Sequence, residues 1–162
     1  MSFTVTKVDI WSSKIEDKPG SLAKVLGALG NAGANLDCVI ARRDAAKSGS
    51  GIVFLTPVKG AATRKAAQSG GLAPAKNIAT LKVEGDDEVG LGGRISTAIA
   101  DAGINLRGVS AAVIGKKFVA YFGFDSAADA TKATRALKTV ARPKKAGKRL
   151  ARVLATSNRK PR

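Results

Sequence analysis

Two stretches of this chain align with each other without a gap when the sequence is shifted by 70 residues. Residues 20–39 match residues 90–109, and most of the identical positions are glycine, alanine or asparagine. The identical pairs are Gly20/Gly90, Ala28/Ala98, Ala32/Ala102, Gly33/Gly103, Asn35/Asn105, Leu36/Leu106 and Val39/Val109. Because the turn residues and the apolar rhythm are both kept, the pattern indicates duplication of one folding unit.

The first copy alternates between strand and helix patterns. Residues 3–15 are rich in Val, Thr, Ile and Trp and predict a strand, which a turn at 17–20 ends. Pro19 fits the first turn of the helix that follows. Leu22, Val25, Leu26 and Leu29 form one apolar face of that helix, and Gly30 and Gly33 end it. Strands at 36–41 and 52–56 and an alanine-rich helix at 61–68 complete the first copy.

The second copy has the same order. It predicts a strand at 78–83, a helix from Leu91, a hairpin of 104–113 with 118–124, and a last helix capped by Asp125 or Ser126. The order β-α-β-β-α lacks only a closing strand to make a ferredoxin-like unit. That strand is expected to be short within 70–77 in the first copy, and to be formed by 149–155 in the second.

The predicted fold class is therefore α+β, with two ferredoxin-like βαββαβ modules in tandem and antiparallel sheets. Module 1 spans 1–75, module 2 spans 76–156, and 157–162 form a basic tail.

Composition removes several kinds of chemistry. The chain has no histidine and a single cysteine, which excludes Cys/His metal clusters, Ser-His-Asp triads, Cys-His dyads and a disulfide framework. The adjacent carboxylates at 86–88 are typical of a helix start and supply few converging oxygens for a metal. No apolar run approaches the roughly 20 residues of a membrane span. We therefore predict a cytoplasmic protein that is not an enzyme and has no cofactor or metal.

The net charge of +16 is unevenly distributed. Residues 141–162 contain nine lysines and arginines and no acid, which leaves 19 − 12 = +7 for the other 140 residues. Such a segment either follows a polyanion or simply keeps the protein soluble.

The motifs around both glycine turns resemble those of the ACT domain. The first runs Ile-Glu-Asp-Lys-Pro-Gly-Ser-Leu-Ala over 15–23 and continues as Ala-Gly-Ala-Asn-Leu over 32–36, and Ala-Gly-Ile-Asn-Leu recurs over 102–106. ACT domains are small βαββαβ modules that bind amino acids and regulate metabolic enzymes. The second turn departs from the family pattern, since 87–93 lack the proline and contain additional glycines.

The resemblance implies a binding site for an amino acid at the glycine turns. Backbone N–H groups at a helix start attract a carboxylate, and in ACT domains this turn and the following asparagine, from paired modules, enclose the ligand. The implied ligand-binding residues are Asp17, Lys18, Pro19, Gly20, Ser21, Leu22 and Asn35, with Gly90, Leu91 and Asn105 from the second copy. Taken singly, each also fits a purely structural role as a turn or cap residue.

Two functions remain open from the sequence. The first is a non-catalytic regulatory protein that binds an amino acid, forms a homodimer and acts on a partner enzyme. The alternative is a basic ferredoxin-like protein that binds nucleic acid or a partner protein, with the modules serving only for dimerisation. The first copy lacks the aromatic platform on which RNA-binding sheets stack bases, which favours the first function.

Overall fold

The computed structural model describes residues 3–141 and shows two four-stranded antiparallel sheets with helices packed on them. The first four elements are β1 (Phe3–Val8), β2 (Trp11–Glu16), α1 (Ser21–Asn31) and β3 (Cys38–Arg43). They are followed by β4 (Ser50–Thr56), α2 (Ala61–Ser69), β5 (Ala73–Pro74) and β6 (Ala79–Asp86). The last four are α3 (Leu91–Asp101), β7 (Gly108–Ile114), β8 (Lys117–Phe124) and α4 (Ala127–Ala141). The predicted α+β class with two antiparallel modules is confirmed.

The sheet of module 1 has the strand order β3-β4-β2-β5, with α1 and α2 on one face. Trp11, Val53 and Leu55 point to that face and are buried against Leu29 of α1 and Ala67 of α2. The predicted apolar stripe of α1 is confirmed, because its other leucines and valine pack on the same core. The closing strand is β5, which has two residues and pairs with β2.

The sheet of module 2 has the order β1-β6-β8-β7 and is covered by α3 and α4. The core-facing side of β8 carries Phe118, Ala120, Phe122 and Phe124, all buried. Ser126 caps α4, since its hydroxyl accepts a 3.0 Å hydrogen bond from the Asp129 amide and donates to the Asp129 carboxylate. Ser126 is thus the cap, one of the two predicted candidates.

One strand prediction is wrong. Residues 3–15 form two strands, β1 and β2, which belong to different sheets. β1 pairs with β6, with Val5 opposite Val83, and the Phe3 ring meets the Phe118 ring edge-on at 6.2 Å. The break was hidden because the inward residues of both strands have odd numbers, so the two-residue alternation runs through it unchanged.

β1 lies beside β6, at the edge where a ferredoxin-like unit has its closing strand. The predicted closing strand at 149–155 and the tail at 157–162 lie outside the described residues. The chain of module 1, from β2 to β5, is consequently inserted between two neighbouring strands of the other sheet. The Ala75 amide donates to the Ile10 carbonyl at 2.8 Å, which holds the two connecting segments together.

The duplication seen in the sequence reappears as matching hydrogen bonds. In each module the amide of the first helical residue donates to the carbonyl three residues earlier. An amide of the segment that follows the helix donates to a carbonyl in the last turns of that helix. The pairs of bonds are Ser21–Lys18 and Leu91–Glu88, Lys24–Gly20 and Arg94–Gly90, and Ala34–Leu29 and Ile104–Ile99. The repeat is therefore structural.

The sheet faces that carry no helix line a common cleft. On this side Thr80 and Tyr121 of module 2 are 4% and 7% exposed, although neither belongs to a helix-covered core. An ion pair of 3.8 Å joins Lys82 of β6 to Asp37, which precedes β3. None of the helices within 3–141 is long and apolar enough to cross a membrane.

Candidate functional site

The turn before α1 presents free backbone donors. Gly20 precedes the helix in the left-handed conformation, with φ of 86°, and no side chain caps the helix. The amides of Leu22 and Ala23 donate to no acceptor among the described residues. Pro19 lies before Gly20 and outside the helix, so its predicted place in the first helical turn is wrong. The left-handed residue that begins the helix would strain any side chain, which accounts for the glycine there.

The turn before α3 has the same construction. Gly90 adopts φ of 77°, and α3 has neither a side-chain cap nor an acid in its first turn. The amides of Gly92 and Gly93 donate to no described acceptor. Two successive glycines leave these donors uncovered, and the positive end of the helix dipole favours an anion at the same point.

A groove of about 440 Å³ runs between the first turns of α3 and strand β7, and we call it the α3 groove. Its mouth has the carboxylates of Asp87 and Glu88, and its polar wall has Gly92 and the hydroxyl of Ser96. Its apolar lining comes mainly from Val109, Ala111 and Val113 of β7 and from Leu91, Ile95 and Phe118. The groove thus combines a negative rim, helix-start amides and an apolar wall, the mixture that small-molecule sites show.

The two carboxylates at the mouth are not equivalent. Nη2 of Arg94 lies 3.0 Å from Oε2 of Glu88, and Nη1 of the same side chain donates to the Val89 carbonyl at 3.0 Å. Asp87 has its amide bonded to the Lys116 carbonyl, and its carboxylate makes no ion pair or hydrogen bond within the described residues. Asp87 is therefore the acid that remains available to an ammonium group.

The corresponding position in module 1 is bridged by an ion pair. Arg43 stands on β3 where Val113 stands on β7, and its Nε lies 3.0 Å from a carboxylate oxygen of Asp17, the counterpart of Asp87. The Arg43 side chain is 85% exposed, so this pair contributes little stability, but it neutralises Asp17. Lys18 in the same turn is paired with Glu16 and lowers the pKa of that carboxyl.

The structure brings some of the predicted residues together and separates others. Residues 17–20 form the turn and residues 21 and 22 begin α1, so these six are contiguous, and Gly90 and Leu91 line the α3 groove. Asn35 and Asn105 lie beyond the opposite ends of 11-residue helices, each about 16 Å long. Within one module, therefore, neither asparagine meets its glycine turn.

Sequence analysis missed the part of the site that comes from β7. Val109, Ala111 and Val113 are distant in sequence from the turn and look like ordinary strand residues. They become groove residues because β7 is an edge strand whose core-facing side extends beyond the helices, which leaves Val109 56% and Val113 54% exposed. Asp87 was visible in the sequence, but only as part of a helix-start cluster.

Solved structures with the same arrangement include regulatory subunits of aspartate kinase. The regulatory subunit from Thermus thermophilus, in its ligand-free form, is 20% identical over 86% of this chain and 96% of its own, with a TM-score of 0.61. The subunit from Thermus flavus is 19% identical over 88% and 98%, with a TM-score of 0.53. A protein from Bacteroides thetaiotaomicron is 13% identical over 83% and 90%, with a TM-score of 0.69.

These similarities concern the fold. The chain matches no protein-family model and no curated protein. At identities of 20% or less, the structural matches confirm at the level of the fold the arrangement implied by the resemblance to ACT modules. The two Thermus chains are regulatory subunits, and the similarity spans 96% and 98% of their length.

Proposed function

We propose that this chain is a non-catalytic regulatory protein that binds a free amino acid in the α3 groove. The α3 groove itself is the observation that carries the proposal, because it places an unpaired carboxylate, unpaired helix-start amides and an apolar wall around one space. The likeness of the fold to aspartate kinase regulatory subunits supports the same function.

Each part of an amino acid has a counterpart in this groove. The α-carboxylate is held by the free amide of Gly92, which lines the groove, and the α-ammonium group by the Asp87 carboxylate. The side chain of the ligand lies along Val109, Ala111 and Val113 of β7. Branched or short apolar side chains suit that wall better than charged ones, because a charge buried there would lack a partner.

The ligand-binding residues that the resemblance to ACT domains implies in the first turn have a secondary role in this proposal. Asp17, Lys18, Pro19, Gly20, Ser21 and Leu22 form a second turn of the same design, but Asp17 is engaged by Arg43. We propose that the first turn binds an amino acid more weakly than the α3 groove does, and that Asn35 and Asn105 contribute when modules of two chains pair.

A homodimer fits the exposed edge of module 2. β7 is the last strand of its sheet, and Val109, Val113 and Ile114 are 56%, 54% and 76% exposed. An apolar edge strand of this kind is a template for pairing with a second copy. We propose that the dimer encloses the α3 groove and that regulation acts through this assembly on a partner enzyme.

The test compares two neighbouring glycines in the first turn of α3. A side chain added at Gly92 enters the α3 groove, whereas one added at Gly93 does not line it, and a Cβ at either position meets no atom within 4 Å. With wild-type protein, thermal denaturation in the presence of each common amino acid should show a shift for a small set of them. A ligand at 100 times its Kd adds about 2.7 kcal/mol to the free energy of unfolding. For a chain of this size, each kcal/mol raises Tm by roughly 2–4 °C.

We expect Gly92→Leu to abolish this shift and Gly93→Leu to keep it, with both variants folded. Asp87→Asn should weaken amino-acid binding by roughly tenfold or more, since a hydrogen bond to a charged group is lost. A flat response of the wild-type protein to all amino acids at millimolar concentration would contradict the proposal. An equal response in both glycine variants would show that the ligand binds elsewhere.

A further inference from the structure

The cleft between the two sheets is a second cavity, separate from the α3 groove. Its volume is about 280 Å³, and it lies between the helix-free faces of both modules. We call it the inter-sheet cleft. Its apolar walls are formed by Ile40, Ile52 and Phe54 of module 1 and by Ile10 and Ile78 of the connecting segments.

Three hydroxyl groups in the lining of the inter-sheet cleft have no hydrogen-bond partner among the described residues. Tyr121 is 7% exposed, and its hydroxyl makes no hydrogen bond with any residue of 3–141. The hydroxyls of Thr80 and Ser110, which also line the inter-sheet cleft, likewise lack a hydrogen-bond partner within that range. None of the fully buried side-chain polar atoms among the described residues lacks a partner, so these three hydroxyls keep contact with solvent in the cleft and can bond to a ligand there.

The charge lining the inter-sheet cleft is positive. Arg42 and Arg107 are its charged lining residues, and its described lining contains no acid. The Arg107 guanidinium bonds to the Asn77 carbonyl at 2.8 Å and to Asp125 at 3.3 Å, whereas the Arg42 guanidinium forms no ion pair or hydrogen bond within 3–141. The unpaired guanidinium is therefore available to an anion.

Two acids near this cleft share one lysine and do not line it. Lys82, whose side chain is only 18% exposed, pairs with Glu84 at 2.9 Å and with Asp37 at 3.8 Å. Burial raises the pKa of both Tyr121 and Cys38, so the phenol and the thiol stay neutral near pH 7 and do not repel an anion. No carboxylate among the described residues lines the inter-sheet cleft to receive an ammonium group, in contrast to the α3 groove with its free Asp87.

We propose that the inter-sheet cleft is a binding site for a small apolar carboxylate that lacks an ammonium group, such as an aryl or branched alkyl acid. Its carboxylate pairs with Arg42, and its apolar body lies against Ile40, Phe54 and Ile78. The hydroxyls of Thr80, Ser110 and Tyr121 supply the remaining polar contacts. Because both sheets contribute, the ligand joins the two modules and stabilises their arrangement.

The test uses 3-phenylpropionate as the probe and 3-phenylpropan-1-ol as its neutral counterpart, with binding measured by isothermal titration calorimetry. We expect saturable binding of the carboxylate and binding of the alcohol that is weaker by roughly tenfold or more. The same probe should slow alkylation of Cys38 by N-ethylmaleimide, because the chain's only cysteine lines the inter-sheet cleft.

Adjacent arginines on one strand give a matched pair of variants. Arg42→Gln removes the charge that faces the inter-sheet cleft, and Arg43→Gln removes an equal charge from the opposite face of β3. Both side chains are at the surface, so both variants should fold as the wild type does. We expect Arg42→Gln to weaken binding of the carboxylate by roughly tenfold and Arg43→Gln to leave it unchanged.

Binding in a Gly92→Leu background should equal that of the wild type, which separates this site from the α3 groove. The proposal is overturned if the probe shows no saturable binding at millimolar concentration, or if the alcohol binds as tightly as the carboxylate. Equal weakening by Arg42→Gln and Arg43→Gln would also overturn it, since the effect would then be one of overall charge.

Discussion

Glycine residues in this chain serve two different purposes within a few residues of each other. Gly20 and Gly90 adopt positive φ at the helix starts, where a side chain would strain the backbone. Gly27 lies inside α1 with ordinary helical geometry, and a Cβ there would meet no atom within 4 Å. The same residue type is thus required at the turn and merely tolerated in the helix.

Alanine substitution should separate the two roles. We expect Gly20→Ala to lower the free energy of unfolding by about 1–2 kcal/mol, because it forces an L-residue into the left-handed region. Gly27→Ala should raise it by about 0.5–1 kcal/mol, since alanine restricts the unfolded chain and favours the helix. Urea denaturation of the two variants measures both changes, and a change of the same sign in both would contradict this account.

At this scale the sequence predicted the turns better than the site. The glycines were found because the repeat fixes their spacing, and a left-handed turn requires that residue type. The ion pair of Arg43 with Asp17 and the freedom of Asp87 were not predictable, since both depend on which β-strand residue faces each turn. That register is set by strand pairing over long sequence separations.

The N-terminal strand is the element that departs most from the predicted order. The two-residue alternation of inward-facing residues continues unchanged from β1 into β2. β1 nevertheless pairs with β6 and contributes Phe3 to the core of module 2. Local patterns predicted the helices and hairpins because their contacts are local. They did not predict this pairing, because nothing in 3–15 distinguishes one sheet from the other. The module limits 1–75 and 76–156 stay a prediction.

Deleting residues 1–8 should therefore affect the module that lies farther along the chain. We expect the amides of β6 to lose protection from hydrogen exchange, because β6 becomes an edge strand and the core loses Phe3. The amides of β2 and β4 should keep most of theirs, since their sheet is unchanged. Mass spectrometry of exchanged peptides measures the protection of both groups of amides. Full protection of β6 in the shortened chain would show that another segment replaces β1.

Over the whole molecule, charge is concentrated where the sequence ends. Residues 142–162 carry nine of the 28 basic residues, and they lie outside the described part of the chain. This concentration keeps nucleic-acid binding open as a second function, independent of the α3 groove. The two functions depend on different parts of the chain, so one truncation distinguishes them.

A chain that ends at Ala141 should lose any affinity for a nucleic-acid probe and keep its response to amino acids. For the full chain, log K measured by fluorescence anisotropy should fall with log salt by roughly 0.7–0.9 per phosphate neutralised. Retained binding by the shortened chain would place the polyanion site on the modules. Absence of binding by the full chain, even at low salt, would remove this second function.

The position of β1 has a consequence for how the protein is made. β1 is synthesised before β6, and the 70 residues from 9 to 78 are added between them. At about 5–20 residues per second, that interval lasts roughly 4–14 s. Module 1 has time to fold during this interval, while the apolar β1 waits without a partner. The interval between the synthesis of β1 and of β6 is therefore the time when this chain is most exposed to wrong strand pairing, including pairing with the β1 of a neighbouring nascent chain.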